Sequence, residues 1–123
     1  MGMIKAMAEL KEATFLPAFF DAIGVEIGNH CQGNIRRIAA CAIGEIDWQL
    51  KINTKLQAKT ITKLEWALLN PEDWGLRYSA CLALKSISTA LAMDVLRKAR
   101  AKETDPVVST RIAMALSKPD VEL

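Results

Sequence analysis

The residues best suited to chemistry lie in two places. The first is Asp73-Trp74-Gly75-Leu76-Arg77-Tyr78. A guanidinium pairs with a carboxylate through two parallel hydrogen bonds, and indole and phenol rings offer faces for stacking. Trp74, Arg77 and Tyr78 together therefore suit an anionic ligand or client. The competing reading is structural: Trp74 fills the space at an inter-helix turn, and Arg77 pairs with an acidic residue of the next turn. The second place is His30-Cys31, which invites a metal-ligand or nucleophile reading. His30 is the only histidine, and no second ligand stands at metal spacing, so no metal site is expected. No flanking base or cation cluster activates Cys31, and an ordinary turn is the plainer assignment. One histidine also excludes a helical-repeat di-iron site, which needs several His-Glu pairs. No Ser-His-Asp set, Gly-rich phosphate loop or carboxylate dyad stands out, so no residue is assigned as catalytic.

The element that must position the first group is a helix. Asn70-Pro71 is a hard stop, and Asp73 is an N-cap candidate just before a helical pattern. Leu76, Ala80, Ala83 and Ile87 follow at spacings of four, three and four, which is one helical face. This stretch recurs. Ile35 to Ile43 matches Leu76 to Leu84 without a gap, so Arg36 falls on Arg77 and Ala39 on Ala80. Val108 to Leu116 matches again more weakly, with Ser109 at the arginine position. Leu84 lies 41 residues after Ile43, and Leu116 lies 32 after Leu84. Periods of this size, each with a small-residue helix, mark an all-α solenoid whose units bury their apolar faces against neighbours.

The remaining elements follow from local signals. Thr14 caps a first helix with Phe15, Leu16, Phe19, Phe20, Ile23 and Ile27 inward, and Gly28-Asn29 stops it. His30 to Gly33 reads as the turn before a second helix over 34–46, and 47–53 as a connector. Asn53 or Thr54 caps a third helix ending near Leu69, with Ile61, Leu64 and Leu68 buried. Residues 74–87 form its partner. Thr89 caps a helix over 90–102 with Leu91, Val95, Leu96 and Ala99 inward. Asp105-Pro106 opens the last, an N-cap followed by proline at the first helical position, and Pro119 ends it. The chain is thus read as one domain, 1–123, of three helix pairs at about 13–47, 53–88 and 89–118. No strand signal occurs. Cys41 and Cys81 read as core residues, and Trp48 and Trp66 as packing residues. Lys55, Lys59 and Lys63 form a solvated stripe or, more sharply, a surface for an acidic partner.

Composition excludes several classes. The chain has 123 residues and a formal net charge of +2, so nothing calls for nucleic acid or an anionic membrane. No apolar run reaches the ~18 residues that would span a bilayer. Met1-Gly2-Met3-Ile4-Lys5-Ala6 carries no secretory apolar region, and Ala6 breaks a myristoylation pattern. Three cysteines cannot all pair with one another. Their setting predicts free thiols, no dependence on disulfides and a cytoplasmic home. Three stacked units also expose two apolar ends, Phe15, Phe19 and Phe20 on one side and Ile112 and Met114 on the other, which makes self-association an expectation.

Asp73-Trp74-Gly75-Leu76-Arg77-Tyr78-Ser79-Ala80-Cys81-Leu82-Ala83-Leu84, with Asn70-Pro71-Glu72 before it, resembles the HEAT-like repeat of phycobilisome lyases. Members of that family attach bilin chromophores to phycobiliprotein cysteines, isomerise or detach them, or act as chaperones. The resemblance implies a HEAT-like α-solenoid and a bilin lyase, isomerase or lyase subunit. It implies a phycobiliprotein client, a second lyase-like subunit as partner, and a linear tetrapyrrole as ligand with no permanently bound cofactor. The second helix of each pair would line the concave face. Arg36 and Arg77 would then form a ladder for the two bilin propionates, with Trp74 or Tyr78 beside the rings. The same repeat occurs in non-enzymatic scaffolds, so a module that grips a protein partner only is the second reading.

Overall fold

A computed structural model describes residue 4 and residues 15–23, 30–46, 48, 54–70 and 73–117. These form six helices: α1 (Leu16–Ile23), α2 (His30–Glu45), α3 (Thr54–Leu69), α4 (Trp74–Ile87), α5 (Ala90–Lys102) and α6 (Pro106–Leu116). No strand occurs among the described residues. The helices build two layers. α2, α4 and α6 pack side by side in one, α1, α3 and α5 lie in the other, and each helix of the first layer packs on the one before it in the chain. α4 is the central element, packed against α2, α3, α5 and α6.

Local chemistry sets the boundaries of the later helices. Asp73 caps α4 by accepting from the backbone N–H groups of Gly75 and Leu76. Thr89 caps α5 through the Ala92 N–H. Asp105 caps α6 through Val107 and Val108, with Pro106 at the helix start. Each cap satisfies donors that the first helical turn leaves without partners. Ser88 closes α4 in the left-handed region, at φ 57° and ψ 22°, and donates its N–H to the Leu84 carbonyl.

The core runs through both layers, with Phe19, Ile43, Leu64, Leu76, Leu84, Leu96 and Ile112 fully buried. Small residues bring α2 and α4 together. A Cβ placed on Gly44 would stand 3.0 Å from the Ala83 Cα, so these backbones approach too closely for a larger residue to fit without a small shift. Ser86 Oγ donates to the Gly44 carbonyl at 2.6 Å across the same seam. Trp48 is buried, and its indole N–H closes the end of α2 by donating to the Ile43 carbonyl at 2.8 Å.

Several expectations change. Residues 30–33, read as a turn, belong to α2, which begins at His30. The single glycine among them, Gly33, costs a first turn only ~1 kcal/mol and does not break it. Leu91, read as inward, is half exposed. The buried stripe of α5 is Ala92, Val95, Leu96 and Ala99, and Leu91 stands one residue off it. Cys41, read as core, is exposed, while Cys81 is buried; both are free thiols. The repeat alignment explains the difference: Cys81 falls on the buried Ala40, whereas Cys41 falls on Leu82, a half-buried position. Of the side chains expected at apolar ends, Phe19 and Ile112 are buried, Phe15 and Phe20 half-buried, and Met114 exposed. Ile27, Gly28 and Asn29, and the candidate caps Thr14 and Asn53, lie outside the described residues.

Candidate functional site

The second helices carry the side chains of interest. Trp74 opens α4 and is 49% exposed. Tyr78 stands one turn on, on the same face, half-buried against the core. On the neighbouring α6, Val107 and Met114 are exposed. Between α4 and α6 lies an open cavity of about 430 Å³ lined by Tyr78, Pro106, Val107, Thr110, Arg111 and Met114. One cation, Arg111, therefore stands in a mostly apolar lining.

Arg36 and Arg77 hold equal repeat positions but meet different partners. Arg36 is 5% exposed. Its Nε donates to the Ile23 carbonyl at 3.0 Å, at the end of α1, and its guanidinium lies 5.6 Å from the centre of the Trp66 ring. It thereby joins α1, α2 and α3. Lys63 also lies 5.6 Å from that ring, and Trp66 is half exposed, more a platform for cations than core packing. Arg77 forms a two-point ion pair with Glu103, at 3.0 Å through both Nε and an Nη. Those side chains are 15% and 4% exposed. Glu103 also accepts the Asp105 N–H at 3.0 Å, so the pair ties α4 to the turn between α5 and α6. The structure thus brings Trp74 and Tyr78 together on one exposed face and sends Arg36 and Arg77 into inter-helix contacts.

Two arginines that the repeat pattern did not single out are prominent. Arg37, at the repeat position of Tyr78, lies over Gly75: a Cβ there would stand 2.5 Å from its Nε. It pairs with Asp73 at 2.5 Å. Burial alone would raise the Asp73 pKa. The hydrogen bonds and charge of Arg37, with the Leu76 and Gly75 N–H groups, outweigh it and hold the carboxyl below the usual carboxylate range. Asp73 therefore both caps α4 and clamps α2 to it. Because the folded pKa is depressed, the stability from this carboxylate is present above its unfolded value of ~3.9 and is lost as pH falls through the folded value. Asp73→Ala is expected to cost ~1–2 kcal/mol at neutral pH. Asp73→Asn keeps a cap without the charge and should flatten the acid limb of a stability-against-pH curve. A wild-type acid limb in Asp73→Asn would show that the carboxylate contributes nothing there.

Arg111 is the other. Its Nε is buried and has no hydrogen-bond partner. Burial pushes the neighbouring Cys81 thiol up to about 11, with Glu103 adding to the rise and Arg111 opposing it. The Arg111 charge is thus within electrostatic reach of the Cys81 thiol. The sequence signal was available: Arg111 is the one charged residue in the run Val107 to Leu116 and stands at the repeat position of the buried Ser79.

His30 and Cys31 are the first two residues of α2. No group of three or more His, Cys, Asp or Glu residues among those described could hold a metal ion. No helix among them is long and apolar enough to cross a membrane.

A two-layer stack of helix pairs, with repeated N-capped second helices, defines an α-solenoid. Residues 25–117 match the family of HEAT repeats, and the chain belongs to that family. It is 46% identical over 115 residues to bilin biosynthesis protein PecF of Nostoc sp., which covers 94% of this chain and 66% of that protein. It is 42% identical over 116 residues to bilin biosynthesis protein PecF of Mastigocladus laminosus, covering 94% and 54%. The chain therefore spans between half and two thirds of the length of these curated relatives. Its fold is that of a chain in the solved complex of CpcE and CpcF of phycocyanin lyase from Nostoc sp., with a TM-score of 0.75, 21% identity, and coverage of 93% of this chain and 69% of that one.

Proposed function

We propose that this chain is a phycobiliprotein-directed protein related to bilin lyases, which holds a bilin or its phycobiliprotein client on the concave face formed by the second helices. The observation that carries the reading is the 46% identity, over nearly the whole chain, to a protein named for bilin biosynthesis. The face supports it chemically: Tyr78 and the cation Arg111 line a mostly apolar cavity, and Trp74 offers an exposed ring one helical turn before Tyr78. Trp74 and Tyr78 make the contact, and Arg36 and Arg77 act in support, Arg36 by holding α2 to α1 and α3 and Arg77 by holding α4 to the turn between α5 and α6. A second lyase-like subunit completes the activity, as the CpcE–CpcF complex suggests for a chain of the same fold. The protein's share of attachment, detachment or chaperoning is orientation and electrostatics, and the setting is cytoplasmic.

The test is binding to an immobilised phycobiliprotein subunit. The wild-type chain should bind, and Trp74→Ala together with Tyr78→Ala should weaken binding on the order of tenfold or more, as aromatic anchors do. The melting temperature should fall by only a few degrees, since Trp74 is half exposed and Tyr78 is only partly buried. Wild-type binding in the double variant would remove this face from the reading.

A further inference from the structure

We propose that Arg111 anchors a carboxylate of the ligand, and that the cavity between α4 and α6 receives the end of a linear tetrapyrrole bearing that group; the inference rests on the bilin reading above. A buried arginine Nε without a partner is unfavourable, because burying a donor costs far more when its hydrogen bond is unmade. Among the described residues it is the only buried side-chain nitrogen or oxygen so placed. The carboxylates of the turn between α5 and α6 are already engaged. Glu103 is held by both Arg77 nitrogens and by the Asp105 N–H, and Asp105 caps α6. Glu103 is taken up by Arg77, and the Arg111 charge beside the cavity has no salt-bridge partner among the described residues.

The rest of the lining selects the molecule that brings the balancing anion. Val107, Met114 and Pro106 give apolar surface, and Tyr78 gives a ring face. A volume of about 430 Å³ lies in the range of small-molecule sites, which are largely apolar with a few placed polar groups. A simple inorganic anion would leave the apolar wall uncovered. A pyrrole ring carrying a carboxyethyl arm covers the wall and supplies the carboxylate, which accepts from the guanidinium with charge assistance. Arg111 is here a ligand-binding residue, with no bond-making step assigned to it.

The experiment is an absorbance titration of the full chain with biliverdin, which carries two free propionates, and with its dimethyl ester. The free acid should bind the wild-type chain on the order of 10- to 100-fold more tightly than the ester. Arg111→Met should remove that preference by bringing the acid down to the level of the ester. Arg111→Lys should recover part of it, since an ammonium lacks the planar two-point contact. Arg111→Met should also melt no lower than wild type, because it deletes an unpartnered buried donor. Equal binding of acid and ester to the wild-type chain overturns the carboxylate anchor while leaving tetrapyrrole binding intact, and that comparison needs no variant. A preference that survives in Arg111→Met also overturns it. Binding of neither compound removes both this inference and the bilin reading. If Arg111→Met loses only its grip on the phycobiliprotein subunit, the carboxylate belongs to a protein side chain and the tetrapyrrole assignment is wrong.

Discussion

Replacing Arg77 by alanine should destabilise the fold by about 3–5 kcal/mol, the cost of leaving one member of a buried ion pair behind. Glu103 is 4% exposed and Arg77 only 15%, so water recovers little of the loss. The damage falls on the contact between the central helix α4 and the turn that launches α6. Adding Glu103→Gln to Arg77→Met should restore much of the stability, because the glutamine removes the stranded charge and can still accept the Asp105 N–H. Thermal or urea unfolding of the single and double variants gives the answer. A single variant that unfolds like wild type would show that the pair is a surface contact, and would return Arg77 to the ligand-gripping role that its repeat position suggests.

Leu84→Ala should cost about 2–5 kcal/mol, the range for emptying a fully buried leucine site with incomplete collapse around it. Leu84 has no exposed surface and sits on the helix that packs against four others. A cavity there weakens both layers at once. Leu91→Ala is the matched control, since Leu91 is half exposed and its truncation should stay within ~0.5 kcal/mol. Equal losses in the two variants would mean that the apolar stripe of α5 is assigned to the wrong residues.

Much of this fold is legible in the sequence because its signals are local. Asp73, Thr89 and Asp105-Pro106 are capping residues whose chemistry acts within one turn, and each caps the helix it was expected to cap. The recurrence of Ile35–Ile43 as Leu76–Leu84 identifies the repeat because small residues recur wherever second helices meet, as at Gly44 and Ala83. The misreadings have the opposite character. Leu91 and Cys41 are apolar residues one position off a buried stripe, and a small rotation decides which way such a side chain points. Equal repeat positions also carry unequal neighbours. Arg36 finds the end of α1 and a tryptophan, whereas Arg77 finds a buried glutamate. Only the packed helices show that difference, because the partners come from elements 13 and 26 residues away. Arg111 is hidden in the sequence for the same reason: a lone cation in an apolar run carries meaning only beside its missing partner and the adjoining cavity.

The face of the second helices is proposed to hold a linear tetrapyrrole or the client that bears it. The most direct measurement is the visible absorbance of the purified chain mixed with a linear tetrapyrrole. A shifted and sharpened band is expected with the wild-type chain. The Trp74→Ala, Tyr78→Ala double variant should give the spectrum of the free pigment while still unfolding cooperatively within a few degrees of wild type. A free-pigment spectrum with the wild-type chain, or an undiminished band with the double variant, would contradict the claim.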